Sequence, residues 1–95
     1  MYGISQNALE KIKAILFSVQ GVESVILYGS RAKGNYKEGS DIDLTVKGNL
    51  TFEDLVKMSV SLEDLNLPWK IDLSLYSQIK NENLLEHIDR VGVAI

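Results

Sequence analysis

Asp41 and Asp43 are two carboxylates at positions i and i+2, and they follow a Gly29-Ser30-Arg31-Ala32-Lys33-Gly34 stretch at a fixed interval. In an extended strand such a pair projects from one face, about 6.7 Å apart at the backbone for a rise of about 3.3 Å per residue. From that spacing the two side chains can converge on a pair of divalent ions about 3.5–4 Å apart. Carboxylate oxygens are hard donors that suit Mg²⁺, an ion that keeps water ligands and binds phosphates. A Gly-Ser turn brings backbone N–H groups close to phosphate oxygens. Together the two stretches point to a site for a nucleoside triphosphate and divalent metal. An isolated Asp-x-Asp is more often a solvated strand face. The Gly-Ser turn ahead of it reverses that preference.

Asp72 is the third carboxylate of interest, in the run Trp69 to Tyr76, where Trp69, Ile71, Leu73 and Leu75 alternate with Lys70, Asp72 and Ser74. If this strand adjoins that of Asp41 and Asp43, Asp72 falls opposite one of them and completes a cluster. Crowded like charges destabilise a fold unless a cation neutralises them. The plainer reading of Asp72 is an exposed strand residue. Gly29 and Ser30 are the candidates for phosphate contacts, and Ser40, which leads into the acidic pair, is a further one. Arg31 and Lys33 could add charge to the phosphates or only solvate a helical turn. His87, the sole histidine, falls on the polar side of a short helix, where a surface role is the default. Trp69, Tyr28 and Tyr36 read first as packing residues.

The elements that must position these groups follow from periodicity. Ser5 is placed to cap a helix whose Leu9, Ile12, Leu16 and Val19 recur at spacings of three and four, with Gly21 to end it. Val25 to Tyr28 is a short apolar run, suited to an interior strand. Residues 30–34 suit a short helical turn, and Asn35 to Gly39 an exposed loop. Asp41 to Val46 alternates as a half-buried strand, with Ile42, Leu44 and Val46 inward and Asp41, Asp43 and Thr45 outward. A helix from about Thr51, with Asp54 as capping-box partner, carries Leu55, Met58, Leu62 and Leu65. Pro68 marks the boundary before the third strand. Glu82 to Arg90 reads as a last helix with Leu84, Leu85 and Ile88, and Val91 to Ile95 as a small strand. Helices interleaved with strands predict an α/β (α+β) arrangement, a small mixed sheet with helices packed on one face and the functional groups on the open face.

Composition sets outer bounds. At 95 residues the chain is read as a single domain, 1–95, with 45% hydrophobic and 24% charged residues. With no cysteine, neither disulfides nor thiolate metal sites contribute. The net charge of −3 argues against strong nucleic-acid binding by the chain itself. No apolar run approaches the ~20 residues of a membrane span, so no membrane association and a cytoplasmic location are expected.

The residues Gly29-Ser30, Asp41-x-Asp43 and Lys70-Ile71-Asp72-Leu73 resemble the motifs of the minimal nucleotidyltransferases of the DNA polymerase beta superfamily. The resemblance covers essentially the whole chain. It implies two-metal nucleotidyl transfer with Mg²⁺, or Mn²⁺ in its place. Asp41 and Asp43 would hold both ions, while Asp72 would bind the catalytic one and help deprotonate the attacking hydroxyl. Gly29 and Ser30 would grip the β- and γ-phosphates. Larger members carry further domains that hold base and acceptor, so the resemblance also implies a partner. Such small proteins are similar to those paired with a helical HEPN-domain protein, in which AMP passes from ATP to a tyrosine of the HEPN toxin and the transferase serves as antitoxin. Two alternatives stand beside this: a binding module that silences its partner by occlusion, and transfer to an RNA 3′ end or a small molecule.

Overall fold

The apolar side chains of Ile42, Leu44 and Val46, all buried, build a strand in the interior of the sheet. The computed structural model describes residues 1–95. Its elements are α1 (Gln6–Phe17), β1 (Val22–Tyr28), α2 (Gly29–Lys33), β2 (Ile42–Gly48), α3 (Phe52–Glu63), β3 (Ile71–Leu75), α4 (Glu82–Val91) and β4 (Val93–Ala94), with a single 3₁₀ turn at Tyr76–Gln78. The sheet order is β3-β2-β1-β4. β1 pairs antiparallel with β2 and with β4, and β2 pairs parallel with β3. Parallel neighbours need a crossover rather than a hairpin, and α3 supplies it. The mixed sheet is as the interleaved helices and strands predict, and β1 is interior as its apolar run predicts.

Helix entry is decided locally. Ser5 Oγ accepts from the Ala8 amide at 3.2 Å. At Thr51 the capping box is reciprocal: the Thr51 amide donates to Asp54 Oδ2 at 2.9 Å, and the Asp54 amide to Thr51 Oγ1 at 3.2 Å. The first helix stops at Phe17, earlier than Gly21 suggests, because Ser18 Oγ donates back to the Ile15 carbonyl at 2.7 Å and closes the last turn. Gly21 serves the following turn instead.

One sheet face packs on α1 and α3. Leu9, Ile12 and Leu16 from α1 and Met58 and Leu62 from α3 meet Val25, Leu27, Leu44 and Val46 of the sheet. The other face carries Tyr28 and Ile26 of β1, Asp43 and Thr45 of β2, and Asp72 and Ser74 of β3, which are cross-strand partners. The sequence expectation left this face clear of helices, but α4 covers part of it. Gly92 approaches the Ile26 side chain, and the Tyr76 hydroxyl donates to Asp89 Oδ1 at 2.8 Å. Thr45, read as outward, is fully buried on this face, its Oγ1 donating to the Ser74 carbonyl at 3.4 Å. The carboxylates lie toward the other end of this face, near the start of β2 and β3.

Candidate active site

Register brings the acidic residues together. Tyr28, Asp43 and Asp72 form one row across three adjacent strands, because Tyr28 pairs with Asp43 and Asp43 with Asp72. Asp41 sits just ahead of β2, exposed. Its position two residues from Asp43 keeps it on the same side, and it acts on Asp43 electrostatically. Burial raises the Asp43 pKa above the ordinary carboxylate value, and the negative charges of Asp72 and Asp41 raise it further. Burial likewise raises the Tyr28 phenol, with Asp43 and Asp72 adding to it against a hydrogen bond to Ser74. Asp72 thus falls opposite Asp43, as an adjoining third strand requires.

The Gly-Ser turn abuts this row. Strand β1 ends at Tyr28 and α2 begins at Gly29, whose backbone is left-handed at φ +74°. Because Tyr28 lies beside Asp43, the next residue meets the Asp43 carboxylate directly: a Cβ on Gly29 would collide with Asp43 Oδ2. Ser30 is half-buried beside it, and Lys33 is exposed on the same short helix. The five-residue helix closes through the Gly34 amide onto the Ser30 carbonyl at 2.9 Å.

Two residues read as phosphate contacts are engaged within the fold, and for Arg31 that engagement is complete. Arg31 is only 1% exposed, and its guanidinium donates to the carbonyls of Tyr2, Glu38 and Ser40. A side chain so enclosed and so fully hydrogen-bonded has no reach to a phosphate; Arg31 is an internal tie. Ser40 Oγ accepts from the Lys37 amide at 2.9 Å and so shapes the loop before Asp41.

His87 is the residue that sequence reasoning missed. Its place on the polar side of α4 predicts a surface role. In the fold its Nε2 accepts the Gly29 amide at 3.1 Å, and its ring meets Tyr28 edge-on with centroids 6.2 Å apart. Nothing local marks this, since partner and acceptor are 58 positions apart. Only an imidazole whose Nε2 carries no proton can accept here. Replacing His87 with Leu leaves a part-buried donor unpaired, at an expected cost of about 1–2 kcal/mol. His87→Gln keeps an acceptor and is expected to recover most of it. Thermal unfolding of the two variants checks this.

The donors suit a hard divalent cation, being carboxylate oxygens on one face with unrelieved mutual repulsion. No three acidic or histidine side chains are closed tightly enough around one point to form a metal cluster as they stand. A cation would therefore gather the three carboxylates rather than enter a finished cage. An apolar groove of about 580 Å³ lies between α3 and β3, lined by residues such as Phe52, Val56, Val60 and Leu67, and includes none of the carboxylates. No helix is long and apolar enough to cross a membrane.

Comparison with known proteins gives the family and the fold. The sequence profile of a family described as polymerase beta nucleotidyltransferase matches residues 10–95. A Haemophilus influenzae protein named a probable protein adenylyltransferase, MntA, is 30% identical over 94 residues, which span 97% of this chain and 82% of that protein. Two solved structures share the fold. One is a toxin–antitoxin with AMP-PNP, at 18% identity and a TM-score of 0.71, covering 96% of this chain and 72% of that one. The other is a tri-AMPylated Shewanella oneidensis HEPN toxin in complex with its MNT antitoxin, at 18% identity and a TM-score of 0.70, covering 99% of this chain and 71% of that one.

Proposed function

We propose that this chain, which belongs to the polymerase beta nucleotidyltransferase family, moves AMP from ATP to a tyrosine hydroxyl of a HEPN-domain partner and thereby acts as an antitoxin. The observation that carries the reading is the row formed by Asp43 and Asp72 in register on adjoining strands, with Asp41 beside it and the Gly29 turn against it. The adenylyl group and the partner class are supported by the adenylyltransferase name of the Haemophilus relative and by the AMPylated HEPN toxin in the Shewanella complex.

Asp41 and Asp43 would hold two Mg²⁺ ions, with Asp72 completing the set about the catalytic one. Bound there, magnesium supplies charge neutralisation for the triphosphate and eases ionisation of the attacking hydroxyl. Ser30 and the turn amides fix the β- and γ-phosphates, with Lys33 adding positive charge from its exposed position. Asp72 helps to take the proton from the tyrosine hydroxyl. The oxygen then forms its bond to the α-phosphorus as the bond to pyrophosphate breaks. Position and charge stabilisation carry most of such a reaction.

The test is transfer of label from α-labelled ATP, with Mg²⁺, to a HEPN-domain protein from the same organism. A labelled protein band is expected, lost when Asp41→Asn and Asp43→Asn are combined. Label on RNA instead would overturn the acceptor. A bound, silenced and unlabelled partner would reduce the chain to a binding module.

A further inference from the structure

Arg31 carries a charge into the interior without an acidic partner in contact, and what it touches explains why. Its Nε and Nη2 donate to the Ser40 carbonyl at 3.1 and 2.7 Å, Nη1 donates to the Tyr2 carbonyl at 2.9 Å, and Nη2 also reaches the Glu38 carbonyl at 3.4 Å. Tyr36 and Trp69 present their ring faces to the guanidinium, with Cζ 5.1 and 5.6 Å from the centroids. A buried guanidinium is tolerable only when its donors are satisfied, and here carbonyl oxygens and ring faces do so.

The segments it gathers are those that enter the acidic strands. Ser40 is joined by its own carbonyl to Asp41, so fixing that carbonyl fixes the peptide plane from which Asp41 starts. One residue further, the Ile42 amide donates to the Lys70 carbonyl at 2.8 Å. Lys70 follows Trp69, whose ring returns to Arg31. The contacts close a loop: Arg31, Ser40–Asp41–Ile42, Lys70–Trp69, and Arg31 again. Asp72 lies two residues beyond Lys70.

We infer that Arg31 is a positioning residue, a buried clamp that sets the entry of β2 and of β3 and so aligns Asp41 with Asp43 and Asp72. The inference rests on the carboxylate assignment under Proposed function. The guanidinium suits this task because its planar fork fixes several acceptors at once. A lysine ammonium has the charge without the fork.

The test compares Arg31→Lys and Tyr36→Leu with the unaltered chain in three measurements. These are amide hydrogen exchange of residues 41–43 and 71–73 in the metal-free protein, Mn²⁺ binding by electron paramagnetic resonance, and kcat and KM for ATP at varied Mg²⁺. Arg31→Lys is expected to speed exchange in both segments and weaken Mn²⁺ binding about tenfold. It should also raise the Mg²⁺ needed for half-maximal kcat, with KM for ATP at saturating Mg²⁺ changed far less. Tyr36→Leu, which removes one ring face, should shift Mn²⁺ binding the same way by about threefold. If Arg31→Lys does not fold, Tyr36→Leu decides alone. Exchange and Mn²⁺ binding equal to the unaltered chain in a folded variant overturn the clamp, even where activity falls. Absence of AMP transfer by the unaltered chain would overturn the proposed function instead, while exchange and Mn²⁺ binding would still decide the role of Arg31.

Discussion

Asp43→Asn is expected to make the metal-free protein more stable and to remove nucleotidyl transfer. Burial and repulsion from Asp72 and Asp41 hold the Asp43 pKa above its ordinary value, so at neutral pH its ionised form is a net cost to the fold. Asparagine keeps the shape and drops the charge. The melting temperature should rise by a few degrees at most, because water reaches part of the site and screens the repulsion. The sign fixes the pH dependence. A carboxyl with a raised folded pKa destabilises above that value, and the penalty fades as pH falls through it toward the ordinary 3.8. The gain of Asp43→Asn over the unaltered chain should therefore be present at neutral pH and shrink toward zero as the medium is acidified through that window. Mg²⁺ should reverse the order by stabilising only the protein with all three carboxylates. Transfer should fall about 10³-fold or more, the loss of several kcal/mol of transition-state stabilisation. Scanning calorimetry across pH, with and without Mg²⁺, and label transfer from ATP check both halves. A variant less stable than the unaltered chain without metal would show that the carboxylates do not oppose one another.

Gly29→Ala and Gly34→Ala should part company although both lie in the same short motif. Each glycine is left-handed, at φ +74° and +88° respectively. Either alanine therefore carries a backbone cost of about 1–2 kcal/mol. At Gly34 nothing else stands within 4 Å of the added methyl. That variant should melt a few degrees lower and transfer nucleotide within a few-fold of the unaltered rate. At Gly29 the methyl collides with the Asp43 carboxylate. Either the turn or Asp43 must move, and displacement of about 1 Å at a reacting centre can cost 10²-fold. Gly29→Ala is thus expected to lose about two orders of magnitude in transfer as well as stability. Equal activity in the two variants would show that the close approach of turn and carboxylate is not needed for the reaction.

Much of the molecule is written in short-range pattern. Ser5, and Thr51 with Asp54, mark their helix starts because a cap is satisfied within three residues. The alternation of Ile42, Leu44 and Val46 marks β2, since side chains two apart share a face whatever the strand pairs with. The same rule puts Asp41 and Asp43 on one side and makes the acidic pair legible without a structure. Element ends were less so. β1 begins at Val22 rather than Val25 because the far end of β2 offers it a partner, Gly48. β3 begins only at Ile71, after Trp69 has been drawn to Arg31.

The sequence by itself determined the elements, the apolar stripes and the spacing of Gly29-Ser30 with Asp41 and Asp43, all consequences of local covalent geometry. Tertiary structure decided that Asp72 stands opposite Asp43, because register is set when whole apolar faces are buried together. It also decided the roles of His87 and Arg31. A histidine on a polar helix face and an arginine after a Gly-Ser turn look solvated in one dimension. What they became depended on carbonyls, amides and rings brought to them from up to 58 positions away, and no local period records such a meeting.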